Sequence, residues 1–153
     1  MASPFPFVAG AVLTAAQLNS IGEAGIAFTP TWTNLTVGNA VQDFKYTRVN
    51  KLVFVRGSIV LGSTSSVTGT VLIGFPFTAA AVAGRMYFGE TYFLDSGVAA
   101  WAGVLVSSTT TASELGVYNV AGTYASVAGI NATTPMTWTT NDAIRLSFVY
   151  EAA

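Results

Sequence analysis

The chain has 153 residues and a formal net charge of −1, and it contains neither cysteine nor histidine. This length suffices for one domain with its own core. Without cysteine there are no disulfides or thiolate metal sites, and without histidine there are no Ser–His or Cys–His nucleophile pairs. We therefore expect a protein that is not an enzyme and that carries neither a cofactor nor a metal.

Charged residues are scarce in this chain. They make up 8% of it, against about 25% in ordinary soluble domains, while 52% of the residues are apolar. Because so little charge repulsion opposes association, we expect copies of the chain to cover part of its surface. The alternative is a monomer with a solvated surface rich in Ser and Thr. The cations Lys45, Arg48, Lys51 and Arg56 alternate with apolar residues, so we expect no nucleic acid partner.

The N-terminal residues read as an extended apolar arm. Pro4 and Pro6 exclude a helix there, and Phe5, Phe7 and Val8 need a surface on which to dock. A secretory signal requires a positive charge before its apolar stretch, and this sequence has none there. No apolar run reaches the roughly 18 residues that span a bilayer, so we expect no membrane insertion.

A short capped helix is predicted next. Thr14 stands where an N-cap is expected, Gln17 completes a capping box, and Leu13 can pack against Leu18. This helix either packs on its own domain or serves as a docking or trimer-forming element. Residues 1–27 are thus predicted to be an anchor. The residues predicted to dock on a partner or to join subunits are Phe5, Phe7, Val8, Leu13, Leu18 and Ile21.

Residues 28–153 carry the pattern of a β domain. Thr, Val, Ile and aromatic residues dominate, and Gly, Asn, Asp, Ser and Pro interrupt them at short intervals. Asn50 predicts a tight hairpin turn. The fold class predicted is all-β, a β-sandwich or jelly roll with the short helix and arm at its N-terminus. The predicted strands are 30–37, 41–49, 51–62, 67–75, 85–94, 97–107, 114–119, 124–130 and 143–151.

The carboxylates do not predict a catalytic pair. The candidates are Glu90, Asp95 and Glu114, but Glu90 and Asp95 have opposite parity and face opposite sides of a continuous strand, unless Asp95 already belongs to a turn. We interpret them as a solvated strand residue and a turn residue. Asp142, after Asn141, offers too few oxygen ligands for a calcium loop and is interpreted as part of a turn.

The aromatic residues admit two interpretations. In an all-β domain they usually fill the core or a seam between subunits, whereas exposed rings can stack on sugar rings. We favour the core or the seam and expect only an exposed minority to bind a ligand. The residues concerned are Trp32, Trp101, Trp138, Tyr87, Tyr92, Tyr118 and Tyr124.

Two segments resemble a known family. Residues 7–19, FVAGAVLTAAQLN, are similar to the opening of many phage tail-fibre and minor tail proteins. Residues 28–39, FTPTWTNLTVGN, resemble the start of the β domain in the same small virion proteins, particularly from phages of actinobacteria. The likeness continues through 46–49, 53–57 and 61–69 and is only general in the second half of the chain.

The resemblance implies a non-enzymatic structural protein of the bacteriophage virion. Such appendages are typically homotrimers, which implies that the partners are further copies of the chain and other virion proteins of tail or capsid. A minor tail or tail-fibre role would include adhesion to a host-surface glycan. The alternatives are a capsid decoration or head fibre and, from a different class, a stand-alone carbohydrate-binding module.

Overall fold

A computed structural model describes residues 25–81, 87–120 and 122–153, together with Gly10, Val12, Thr14 and Ala15. The predicted all-β class is confirmed, and two predicted strands, 41–49 and 143–151, have the observed limits. The described ranges contain ten strands: β1 Ile26–Ala27, β2 Trp32–Thr36, β3 Val41–Val49, β4 Leu52–Val60, β5 Ser66–Gly74, β6 Tyr87–Asp95, β7 Ala99–Ser107, β8 Ala112–Asn119, β9 Ser126–Gly129 and β10 Ala143–Glu151.

The predicted arm and capped helix fall almost entirely outside the described residues. So do all the side chains predicted to dock or to join subunits. These predictions therefore stay predictions. The residues in question are Phe5, Phe7, Val8, Leu13, Leu18 and Ile21.

The strands form one antiparallel sheet that curls into a half-barrel. Its hydrogen-bonded order is β1-β3-β4-β10-β6-β7-β8-β5-β2, with β9 paired to β8. The two ends of this order lie close together. Phe28 donates its amide hydrogen to the carbonyl oxygen of Phe44 on β3, and Trp32 on β2 donates through Nε1 to Gln42 Oε1, also on β3, at 2.8 Å. Because the strands follow one continuous path, the predicted two-layer sandwich or jelly roll is not confirmed.

The concave side of the sheet is the core. Alternation along β10 buries Phe148 and exposes Val149. Stacked and edge-on aromatic pairs fill the centre, including Phe75 on Tyr150 with ring centroids 4.7 Å apart. The fully buried apolar residues are Val53, Val55, Ile59, Val71, Ile73, Phe93, Leu105, Leu115, Ile130 and Ile144.

The hydroxyl of Tyr150 ties the chain after β5 to the last strand. It donates to the Phe77 carbonyl oxygen at 2.9 Å and accepts from the Phe77 amide at 3.1 Å. Burial away from water raises the pKa of Tyr150 to about 12, since the phenolate form would lose its hydration.

A buried carboxylate organises the turn before β10. Asp142 is fully buried and accepts hydrogen bonds from the Ser96 amide at 2.9 Å, the Thr139 amide at 2.6 Å and Thr139 Oγ1 at 3.2 Å. Asn141 has a φ of 73°, the left-handed conformation common in turns. The interpretation of Asn141 and Asp142 as a turn is therefore confirmed.

A glycine on the core side of β4 allows a close approach of β3. A Cβ atom at Gly57 would overlap the ring of Phe44 and would lie 2.6 Å from the carbonyl oxygen of Asp43. Glycine inside a strand commonly marks such a contact or a bend of the sheet. Gly57 therefore contributes to the curl that encloses the core.

Candidate functional site

The outer face of the sheet, opposite the core, gathers polar side chains into two rows. The rows run across the strands because paired residues of an antiparallel sheet point to the same side. The first row, from β3 to β6, is Lys45, Arg56, Ser147 and Glu90. The second row, from β3 to β7, is Asp43, Ser58, Arg145, Tyr92 and Ala102.

These rows line a groove of about 650 Å³, which we call the outer groove. Tyr118 of β8 closes its far end. The groove holds three of the six Lys and Arg residues of the chain and two of the seven Asp and Glu residues. Five of the thirteen charged residues of the chain thus line this groove, which carries one positive charge in excess although the whole chain is negative.

The cations of the groove are only partly balanced. Lys45 Nζ lies 3.7 Å from Asp43 Oδ1, but both side chains are exposed, so this ion pair contributes little. Among the residues that the structure describes, Arg56 and Arg145 form no salt bridge. The guanidinium of Arg145 lies over the ring of Tyr92, 5.8 Å from its centroid.

The predicted aromatic residues divide between core and surface. Trp32, Trp101 and Trp138 are half-buried and pack against the core, whereas Tyr92 and Tyr118 are 40% and 48% exposed in the outer groove. Tyr124 is also exposed but does not line the groove, and the side chain of Tyr87 lies outside what the structure describes. Of the six rings whose side chains the structure describes, three thus pack against the core and three are exposed.

The same face becomes apolar toward the turn between β3 and β4. Val49 lies opposite Leu52, and Phe54 lies opposite Val149. All four side chains are exposed, Leu52 by 56% and Phe54 by 41%. They are contiguous, because Leu52 and Phe54 are two residues apart on β4 and project to one side. We call this surface the outer apolar patch.

The three candidate carboxylates lie at different places in the sheet. Glu90 lies in the outer groove, but Asp95 ends β6 with the opposite parity, at the turn closed by the Val98 amide. Glu114 lies on β8 with Oε1 over Gly129 of β9. Glu90 on β6 pairs with Val104 on β7, and Val104 is buried. Strand β7 therefore separates Glu90 from β8, the strand that carries Glu114.

The outer groove was not predicted, because its charged residues do not form a cluster along the sequence. Lys45 and Arg56 are 11 residues apart, yet the hairpin at Asn50 places them side by side. The predicted hairpin already implied this pairing, because a tight turn at Asn50 sets which residues of β3 and β4 lie opposite each other. The positions of Arg145 and Glu90 beside that pair follow only from the insertion of β10 between β4 and β6.

Comparison with protein-family models, with curated proteins and with solved structures found no match for this chain. Within the described ranges, no three potential ligand residues lie close enough together to hold a metal ion. In the same part of the chain, no helix has the length and apolar character needed to cross a membrane.

Proposed function

We propose that this protein is a non-enzymatic structural protein of a bacteriophage virion and that it forms a homotrimeric surface appendage of the minor tail or tail-fibre type. The resemblance of residues 7–19 and 28–39 to such proteins supports the phage assignment. The outer apolar patch is the observation that carries the role as a subunit of an assembly, because contiguous exposed apolar surface marks protein contacts.

The patch suits a contact between copies of this chain. Its side chains lie on β3, β4 and β10, three neighbouring strands of one sheet, so little ordering is needed before association. Burying an exposed Leu or Phe completely contributes about 1.5–3 kcal/mol, and these side chains are already half-covered. Each therefore contributes on the order of 1 kcal/mol to each contact in the assembly.

The oligomer is tested by sedimentation equilibrium of the full chain. We expect a mass of three times the 15.9 kDa chain. The double variant Leu52→Ser, Phe54→Ser should dissociate at concentrations where the natural chain remains a trimer. The control is Val98→Ser, which changes a 78% exposed side chain outside the patch and should leave the trimer intact. A monomeric natural chain, or equal behaviour of both variants, would overturn the subunit contact.

The location is tested by quantitative mass spectrometry of purified phage particles. A few copies per particle would support the tail appendage. Many copies in a fixed ratio to the major capsid protein would instead support the alternative, a capsid decoration or head fibre. Absence from the particle would overturn the virion assignment. A stand-alone carbohydrate-binding module would then be favoured by the exposed rings of Tyr92 and Tyr118 in the outer groove.

A further inference from the structure

We propose that the outer groove is a binding site for an acidic saccharide. In this arrangement a sugar ring lies against Tyr92 or Tyr118, and a carboxylate or phosphate substituent of the saccharide is held by Arg56 and Arg145. The site is distinct from the outer apolar patch, and its ligand does not depend on the location of the protein in a particle.

The charges of the groove favour an anion. Arg56 lies directly opposite Ser147 on β10, and Arg145 is two residues from Ser147 on the same face. The two arginines are therefore diagonal neighbours, with Cα atoms about 7–8 Å apart. That separation lets two long side chains converge on one group. Guanidinium donors match carboxylate and phosphate oxygens in a bidentate manner, and neither arginine has a salt-bridge partner among the described residues.

The aromatic rings provide the apolar part of the site. Tyr92 on β6 pairs with Ala102 on β7. Gly103, the next residue of β7, pairs with Val117 on β8, so Tyr118 lies beside Ala102 on the other side. Two strand spacings separate the tyrosines by about 10 Å, and only a methyl side chain lies between them. Both rings keep two fifths or more of their surface exposed, so their faces can contact the C–H face of a sugar.

Polar groups around the rings suit a hydroxylated ligand. Asp43 and Glu90 can accept hydrogen bonds from hydroxyl groups, and Ser58 and Ser147 can both donate and accept. These groups alternate with the cations along the two rows. A ligand that presents hydroxyl groups beside its negative charges therefore satisfies more of the groove than anionic groups alone do.

The fold disfavours the two polymeric alternatives. A peptide that adds a strand needs a free sheet edge, whereas the groove crosses the face of β3, β4, β10, β6 and β7, each of which is paired on both sides. Nucleic acid binding rests on the neutralisation of several phosphates, whereas the groove has a single positive charge in excess.

The test is isothermal titration calorimetry of the full chain with three probes. These are an oligogalacturonate, a neutral glucan oligomer of the same length, and poly(glycerol phosphate), which carries charge without a sugar ring. We expect the oligogalacturonate to bind at least tenfold more tightly than the other two. Equal binding of the neutral glucan would overturn the role of the arginines, and equal binding of poly(glycerol phosphate) would overturn the role of the rings.

Variants locate the site. Arg145→Gln and Tyr92→Ser should each weaken oligogalacturonate binding at least tenfold, whereas Lys51→Gln, which removes an exposed cation outside the groove, should change it less than twofold. Near-ultraviolet circular dichroism shows whether each variant retains the fold. Arg56→Gln provides a second test on a different strand. Undiminished binding by Arg145→Gln and Arg56→Gln, or an equal loss with Lys51→Gln, would overturn the proposal.

The same samples separate this proposal from the proposed virion role. A trimer found in particles that binds no oligogalacturonate overturns the saccharide site alone. A monomer absent from particles that still binds overturns the virion role alone.

Discussion

Replacing Gly57 with alanine should destabilise the protein, although the same change in an ordinary strand position stabilises. Gly57 does not need a left-handed φ. Alanine would therefore by itself raise the free energy of unfolding by about 0.4–1 kcal/mol, because it reduces the conformational entropy of the unfolded chain. Here the new methyl group meets the ring of Phe44, which is 2% exposed and is held by Trp32, 5.8 Å away between ring centroids. Overpacking of this kind costs about 1–3 kcal/mol. We therefore expect a net loss of about 1–2 kcal/mol.

The assay is urea unfolding followed by tryptophan fluorescence, at one protein concentration for all variants. The matched control is Gly122→Ala, because a Cβ atom there has its nearest contact at 3.7 Å and no left-handed φ is required. The free energy of unfolding of this control should equal that of the natural chain or exceed it by up to about 1 kcal/mol. Phe44→Leu in the Gly57→Ala background should recover part of the loss, since it removes the overlapping ring. Equal stability of Gly57→Ala and Gly122→Ala would refute the account of the close approach.

Two further predictions concern buried polar groups. Since the folded pKa of Tyr150 is about 12 and the ordinary value is about 10, the stability that this group confers is intact below pH 10. It is lost, by about 2–3 kcal/mol, as the pH rises to 12, because the unfolded chain ionises first. Urea unfolding between pH 9 and 12 should show this fall in the natural chain and not in Tyr150→Phe, and identical profiles would contradict it. Asp142→Ala should cost about 1–3 kcal/mol, because it removes the charged acceptor of two part-buried hydrogen bonds from the amides of Ser96 and Thr139. Asp142→Asn, which keeps one acceptor oxygen, should cost less in the same thermal unfolding series, and an unchanged melting temperature for Asp142→Ala would count against this network.

Local patterns were sufficient to locate most of the strands. The limits predicted for β3 and β10 are those observed, and Asn50, predicted to form a tight turn, lies in the two-residue turn between β3 and β4 with a φ of 54°. Such signals depend on neighbours within a few residues, so they can be recognised in the sequence. The two-residue β1 was not predicted, since its pairing with Tyr46 and Lys45 has no local signature.

The sequence by itself determined an all-β domain, the limits of β3 and β10, the turn at Asn50 and the scarcity of charge. Only the tertiary structure decided that the strands form one curled sheet and that β10 enters between β4 and β6. Alternation shows which face of a strand is buried, but it does not show which strand lies beside it. The pairing of Arg56 with Lys45 follows from a hairpin, whereas Arg145 and Glu90 reach the groove through contacts between distant parts of the chain. The fold class could therefore be predicted from the sequence, whereas the outer groove depends on long-range pairing of the strands.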